Sequence, residues 1–214
     1  EHRQFDPGKI VLSVQNLSIE DYRLSMKSIH LDVFEGQVIG LAGMEGSGQD
    51  LFLRACAGLV RPTGGKVVIK SQDLTGKSYH SFQKRGVAYL PASRLEEGLI
   101  PGLTLTEHFL LAQGENGLFV NWNKGQALTQ ERIHEFNIRG NANSLVESLS
   151  GGNQQRTLLA LLNTPLALVL LEHPTRGLDI ESTIDIWGKL KERCKQGAAI
   201  LFISSDLEEI LRYS

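Results

Sequence analysis

An excess of one charge, a cysteine framework and a long apolar run are all missing from these 214 residues. Lys and Arg number 22 against 24 Asp and Glu, a formal net charge of −2. No global field therefore draws the chain to nucleic acid or to an anionic membrane. Two cysteines, Cys56 and Cys194, build no disulfide framework and suit a reducing compartment. No apolar stretch, Leu166 to Leu171 among the longest, approaches the ~20 residues of a membrane span. No signal-peptide pattern, internal repeat or low-complexity tract is visible. What is present, 41% hydrophobic and 21% charged residues, describes a globular chain with core enough for about one domain. It opens at Glu1 without Met and stops at Ser214 just after a helical segment, so it reads as a piece of a longer polypeptide truncated at both ends.

Apolar runs of strand length alternate with segments of helical period, which predicts an α/β domain with a mainly parallel core sheet. Strands are expected at 10–14, 29–34, 37–42, 66–70, 86–90, 167–171 and 198–203. The first two and 66–70 are separated by turn-like clusters such as Arg61-Pro62-Thr63-Gly64-Gly65, and are expected to form an antiparallel piece. Helices are expected at 50–57, 106–113, 125–136, 153–162, 180–195 and 206–211. In 180–195 the stripe Ile180, Ile184, Trp187, Leu190 and Cys194 predicts a core-facing side. Cys56, in the apolar run 51–59, reads as a buried small hydrophobe. Residues 101–143 are more polar and helical, an inserted helical subdomain in a core of about 1–100 and 144–214; Phe119 and Trp122 read as its packing. His2, His30, His80, His108 and His134 show no ligand spacing.

The strand 37–42 runs into Gly43-Met44-Glu45-Gly46-Ser47-Gly48-Gln49-Asp50 and then into a helix. Gly43, four residues and Gly48 is the glycine placement of a phosphate loop, in which backbone amides and a helix N-terminus converge on an anion. Such loops continue with Lys, which neutralises the outer phosphates, and Ser/Thr, whose hydroxyl ligates Mg²⁺. Here those positions hold Gln49, which brings no charge, and Asp50, which puts a carboxylate beside the phosphate position. Asp50 could ligate a metal or serve as an acidic first-turn residue. The loop alone leaves two readings open: a glycine-rich turn without ligand, or a degenerate nucleotide site.

Downstream, Leu149-Ser150-Gly151-Gly152-Asn153-Gln154-Gln155 opens a helix with Ser150 as its expected cap. About a dozen residues further on, an apolar strand runs into Glu172-His173-Pro174-Thr175-Arg176-Gly177-Leu178-Asp179. With the phosphate loop, this order of motifs resembles the nucleotide-binding domain of ABC transporters, and LSGGNQQ with PTRGLD is most similar to ATPase subunits of sugar and nucleoside importers. The resemblance covers nearly the whole chain. It implies a P-loop NTPase-like ABC ATPase domain over 1–214, with ATP and Mg²⁺ as cofactors. It also implies a second ABC ATPase domain and transmembrane permease subunits as partners, and a peripheral place on the cytoplasmic side of the membrane. Importers of that type usually carry two such domains in one polypeptide, the second often irregular, and this sequence resembles the second.

Set against the family pattern, the departures are concentrated at the positions used for hydrolysis. Gln49 stands for the phosphate-binding Lys and Asp50 for the Mg²⁺-binding hydroxyl. Glu172 and His173 replace the metal-binding Asp and general-base Glu, so Glu172 and Asp50 are what remain as Mg²⁺ candidates. Ala92 occupies the loop position that meets the metal and the membrane partner, with Arg94 and the charged turn Glu96-Glu97 after it, and Ser205 takes the place of the switch His. One lost electrostatic contact can cost ~10²–10³ in rate, and phosphoryl transfer depends on such contacts. The resemblance thus implies a domain whose own site binds nucleotide weakly or stays empty. Its intact signature (Leu149, Ser150, Gly151, Gly152, Asn153, Gln154) would serve the ATP of the partner domain, and Asp179 would order the shared interface. Tyr22 lies where an aromatic of the family stacks on adenine, and a half-buried packing tyrosine is the other reading open there. Two further readings stay open: an active ATPase using Glu172, His173 and Asp50, and a scaffold on the permease that never meets nucleotide.

Overall fold

In the strand Ile10–Glu20 (β1), Leu12 and Val14, and after a register shift Leu17 and Ile19, are buried at every second position, and Val11 is buried beside them. That period of two defines a strand with one face on the core. The computed structural model describes residues 8–44, 46–113, 120–162 and 165–214; Glu45, His2 and Phe119 lie outside them. Two compact units are present: residues 1–89, 165–174 and 187–214, and residues 90–164 and 175–186.

In the first unit β1 pairs antiparallel with Ser25–Phe34 (β2) and with Gly64–Ile69 (β4), and β4 pairs antiparallel with the short Gln72–Asp73 (β5). A second sheet has the order β3-β8-β7-β6, formed by Val38–Leu41 (β3), Val87–Leu90 (β6), Leu168–Glu172 (β7) and Ala199–Ile203 (β8). β8 runs parallel to both β3 and β7. β7 and β8 are buried at every residue, the continuous apolar pattern of central parallel strands covered on both faces. The helix Gln49–Cys56 (α1) buries Phe52, Leu53, Ala55 and Cys56 in the core shared with both sheets. Each fully buried Leu, Ile or Val here contributes roughly 1.5–3 kcal/mol. Burial raises the Cys56 thiol well above its ordinary range and pushes Cys194 up to about 11, so both behave as core hydrophobes. The fold is thus the expected one: α/β, with a parallel sheet, an antiparallel sheet and helices.

A short helix, Tyr79–Gln83 (α2), precedes β6 and had no counterpart in the sequence reading. The second unit carries a π-helical turn Arg94–Gly98, the helices Leu105–Gln113 (α3), Trp122–Glu135 (α4) and Gly151–Ala160 (α5), and a 3-10 turn Val146–Ser148. α3 starts one residue earlier than expected because Thr104 and Glu107 form a reciprocal cap. Thr104 N–H and Oγ1 donate to Glu107 Oε2 at 2.6 and 2.7 Å, and Glu107 N–H donates back to Thr104 Oγ1 at 3.3 Å. His108 is buried and satisfied, its Nε2 accepting from Ile100 N–H at 2.9 Å.

Two packing expectations are corrected. In Ile180–Lys195 (α6), Trp187, Leu190 and Cys194 are buried but Ile180 and Ile184 are 78% and 49% exposed. The inward stripe begins only where aromatic partners exist: Trp187 meets Phe202 edge-on at 4.8 Å and stacks on Tyr213 of the helix Leu207–Tyr213 (α7) at 4.4 Å. Trp122 is 53% exposed, not packed, because it opens α4 directly after the cap residue Asn121.

Candidate functional site

The phosphate-loop residues of the first unit connect β3 to α1, and Gly48 is the residue that makes the connection possible. Its φ of 105° lies in the left-handed region, and an added Cβ would meet Leu24 Cδ2 at 2.4 Å and Met26 Sδ at 2.7 Å. Only glycine fits both demands. The loop closes on itself through Ser47, whose N–H and Oγ donate to Met44 O at 3.1 and 2.8 Å. Ser47 Oγ also donates to Gln49 Oε1 at 2.9 Å. The other end of that amide lies across the loop: a Cβ on Gly43 would fall 1.7 Å from Gln49 Nε2. A neutral side chain therefore fills the cradle at the position that carries lysine in phosphate loops. Met44, Gly46 and Asp50 are exposed, and Asp50 sits in the first turn of α1.

The end of β7 delivers Glu172 and His173 to the same unit. Glu172 is buried, and its Oε1 accepts from Tyr89 Oη at 2.5 Å and from Arg54 Nε at 3.3 Å. Arg54 also lies 5.7 Å from the centre of the Tyr89 ring, a cation–π distance that holds the guanidinium from a second side. His173 has φ 48°, an uncommon conformation for a non-glycine residue, and its N–H donates to Ile203 O at 2.9 Å. Ser205 follows β8 and is exposed, whereas Ser204 is buried. Tyr22 is 84% exposed on the β1–β2 turn and not the half-buried tyrosine of an ordinary packing role; the Arg23 guanidinium lies 4.8 Å from its ring centre. Asp21 holds that turn by accepting from Arg23 N–H and Leu24 N–H, both at 2.8 Å.

Mg²⁺ is the metal that the family pattern implies, and the residues do not fit it. Asp50 is exposed, and the Glu172 oxygen already receives a phenol and a guanidinium. Among the described residues no group of three or more His, Cys, Asp or Glu could hold a metal ion.

The signature belongs to the second unit. Ser150 occupies the N-cap position of α5 and is exposed, yet it makes no cap hydrogen bond; its Oγ accepts from Asn153 Nδ2 at 2.9 Å instead. Leu149, Asn153 and Gln154 are buried. Asn153 Oδ1 accepts from Arg139 N–H at 2.8 Å, and Gln154 Nε2 donates to Val146 O and Leu149 O at 3.2 and 3.1 Å. These side chains brace the motif from inside and leave Ser150 as its exposed polar side chain, beside the half-buried Gly151 and Gly152. Arg94 turns inward as well. Its Nε donates to Gln155 Oε1 at 2.9 Å and its Nη2 to Arg176 O, and burial, then the nearby Arg176 charge, lower its pKa. The outward charges of that turn are Glu96 and Glu97, while Ala92 is half-buried. Asp179 is tied to the signature helix: it accepts from Ser182 N–H and Oγ, each at 2.8 Å, and Ser182 Oγ accepts from Arg156 of α5 at 2.9 Å. Those Ser182 bonds hold the Asp179 carboxyl below its usual range.

Sequence reasoning missed Arg54, Tyr89 and Arg156. None of the three carried a signal, since their partners are distant in sequence.

The glycine loop, the segment 149–155 and the end of β7 accompany a match of the ABC transporter family model to residues 26–176. The chain belongs to the ABC transporter family. Among ABC relatives, it is 32% identical to the nucleoside import ATP-binding protein NupA of Lactococcus lactis subsp. cremoris (strain MG1363), over 97% of this chain and 43% of that protein. It is 31% identical to the ribose import ATP-binding protein RbsA of Caldanaerobacter subterraneus subsp. tengcongensis (strain DSM 15242 / JCM 11007 / NBRC 100824 / MB4), over 97% of this chain and 42% of that protein. The chain thus spans less than half the length of these relatives. Its fold matches a solved ATP-binding subunit of an ABC transporter with a TM-score of 0.77 at 25% identity, over 95% of this chain and 82% of that one. Among the described residues no helix is long and apolar enough to cross a membrane.

Proposed function

We propose that this chain is the nucleotide-binding domain of an importer for sugars or nucleosides, peripheral on the cytoplasmic side of the membrane against permease subunits. Its own phosphate loop holds nucleotide weakly and does not hydrolyse it. Its signature completes the ATP site of a second ATPase domain, with Ser150 and the amides of Gly151 and Gly152 at the partner's γ-phosphate. The observation that carries this reading is a contrast. Gln49 and Glu172 are both engaged within their own unit, whereas Ser150 is exposed at the start of a braced helix. Names of the relatives support the transported class, and Asp179, tied through Ser182 and Arg156 to α5, supports an ordered face beside the signature.

A second reading, hydrolysis at its own site by His173, is favoured by one observation: the positive φ of that residue, since backbone strain collects at functional positions. Turnover of Mg²⁺-ATP by the purified chain separates the two. A rate at the protein-free background, unchanged by His173→Ala, is expected. A measurable rate that His173→Ala abolishes would move the assignment to the second reading.

A further inference from the structure

A buried carboxylate needs a counter-charge, and where a phosphate-loop protein ordinarily recruits a divalent cation this chain supplies its own. Glu172 ends β7, and its side chain is 6% exposed against 31% for Arg54. A carboxylate so placed is compensated only by a partner with donors and charge. Arg54 provides both, with Nε 3.3 Å from Oε1, and Tyr89 Oη supplies a second donor to the same oxygen. The Tyr89 ring then backs the guanidinium at 5.7 Å. A dication at this oxygen would stand beside a fixed positive charge and would have to displace donors already in place. Asp50 is exposed, and among the described residues no group of three or more His, Cys, Asp or Glu could hold a metal ion.

We infer that Arg54 is the resident cation of this site, occupying Glu172 in place of a divalent metal, so that a nucleoside di- or triphosphate binds at the Gly43–Asp50 loop independently of divalent cations. The inference rests on the reading of that loop as a weak nucleotide site, and goes beyond it by fixing the form of the ligand. The loop amides and the start of α1 then meet the phosphate charge, with no ion bridging to β7.

Calorimetric titration of ATP into the chain, in Mg²⁺ and in EDTA, tests this together with electron paramagnetic resonance of Mn²⁺ added with ATP. Dissociation constants equal within about twofold, with Mn²⁺ in excess of the nucleotide-bound fraction showing no protein-held signal, are expected. Arg54→Met is expected to make ATP affinity depend on Mg²⁺ and to create a held Mn²⁺ signal, while Arg54→Lys keeps the independence. If Arg54→Met does not fold, the comparison on the unaltered chain still decides. Affinity that rises about tenfold or more with Mg²⁺, with a held Mn²⁺ signal lost in Glu172→Gln, would overturn the inference and leave the loop a nucleotide site. No ATP binding in either buffer would overturn the nucleotide reading itself, and the inference with it.

Discussion

At the scale of single residues the chemistry of this chain turns on what replaces charge. Gln49 lies on Gly43 with its oxygen on Ser47, a neutral plug where phosphate loops carry an ammonium. A hydrogen bond to a charged group contributes about 1.5–3 kcal/mol, so Gln49→Lys is expected to tighten ATP binding by about 10- to 100-fold in the same calorimetric titration. Unchanged affinity would mean that the loop does not present itself to phosphate. Asp179 gives a pH signature. Its pKa is lowered by the Ser182 N–H and hydroxyl bonds, so its contribution is present above the ordinary carboxylate pKa and is lost as pH falls through the lowered value. Thermal unfolding of the unaltered chain should therefore lose stability below about pH 4 relative to neutral pH, and Asp179→Asn should lack that component. Parallel profiles for the two proteins would show that these bonds are not formed in solution.

At the scale of elements, helix starts decide how the site is presented. The Thr104–Glu107 reciprocal cap fixes the start of α3. Thr104→Ala is expected to cost about 1 kcal/mol, read as a lower unfolding midpoint, with Thr104→Ser retaining most of it. The Thr-x-x-Glu pattern was present in the sequence, and with it the start at Leu105 was readable. Periodicity made most strands and helices legible, because burial alternates by two within stretches such as Leu12 to Val14 of β1 and the glycine spacing of the phosphate loop is local. It failed where a neighbour decides. The apolar period of α6 runs unbroken from Ile180 to Cys194, but only the turns that meet Phe202 and Tyr213 are buried. Of the candidate sites, the altered positions were legible as departures from a motif. The partners of Glu172 were not: Arg54 lies 118 residues away in sequence and reaches it only through the packed sheet. Asn153 and Gln154 likewise read as ligand positions, and only the packed unit shows their side chains turned inward to Arg139, Val146 and Leu149.

At the scale of the whole molecule the two sets of residues fall on different units. The phosphate loop, Glu172, His173 and Ser205 belong to the first unit, and the signature and Asp179 to the second. On the proposed function, this domain assists a site it does not itself form. The relatives it resembles are more than twice its length. The most direct test is ATP turnover by the assembled transporter carrying Ser150→Arg in this domain, compared with His173→Ala. Ser150→Arg is expected to lower turnover by about 10²-fold or more, the effect of losing one preorganised electrostatic contact, while His173→Ala leaves it unchanged. Full turnover with Ser150→Arg, or its loss with His173→Ala, would contradict the assignment of this domain as the donor of a signature to its partner's ATP.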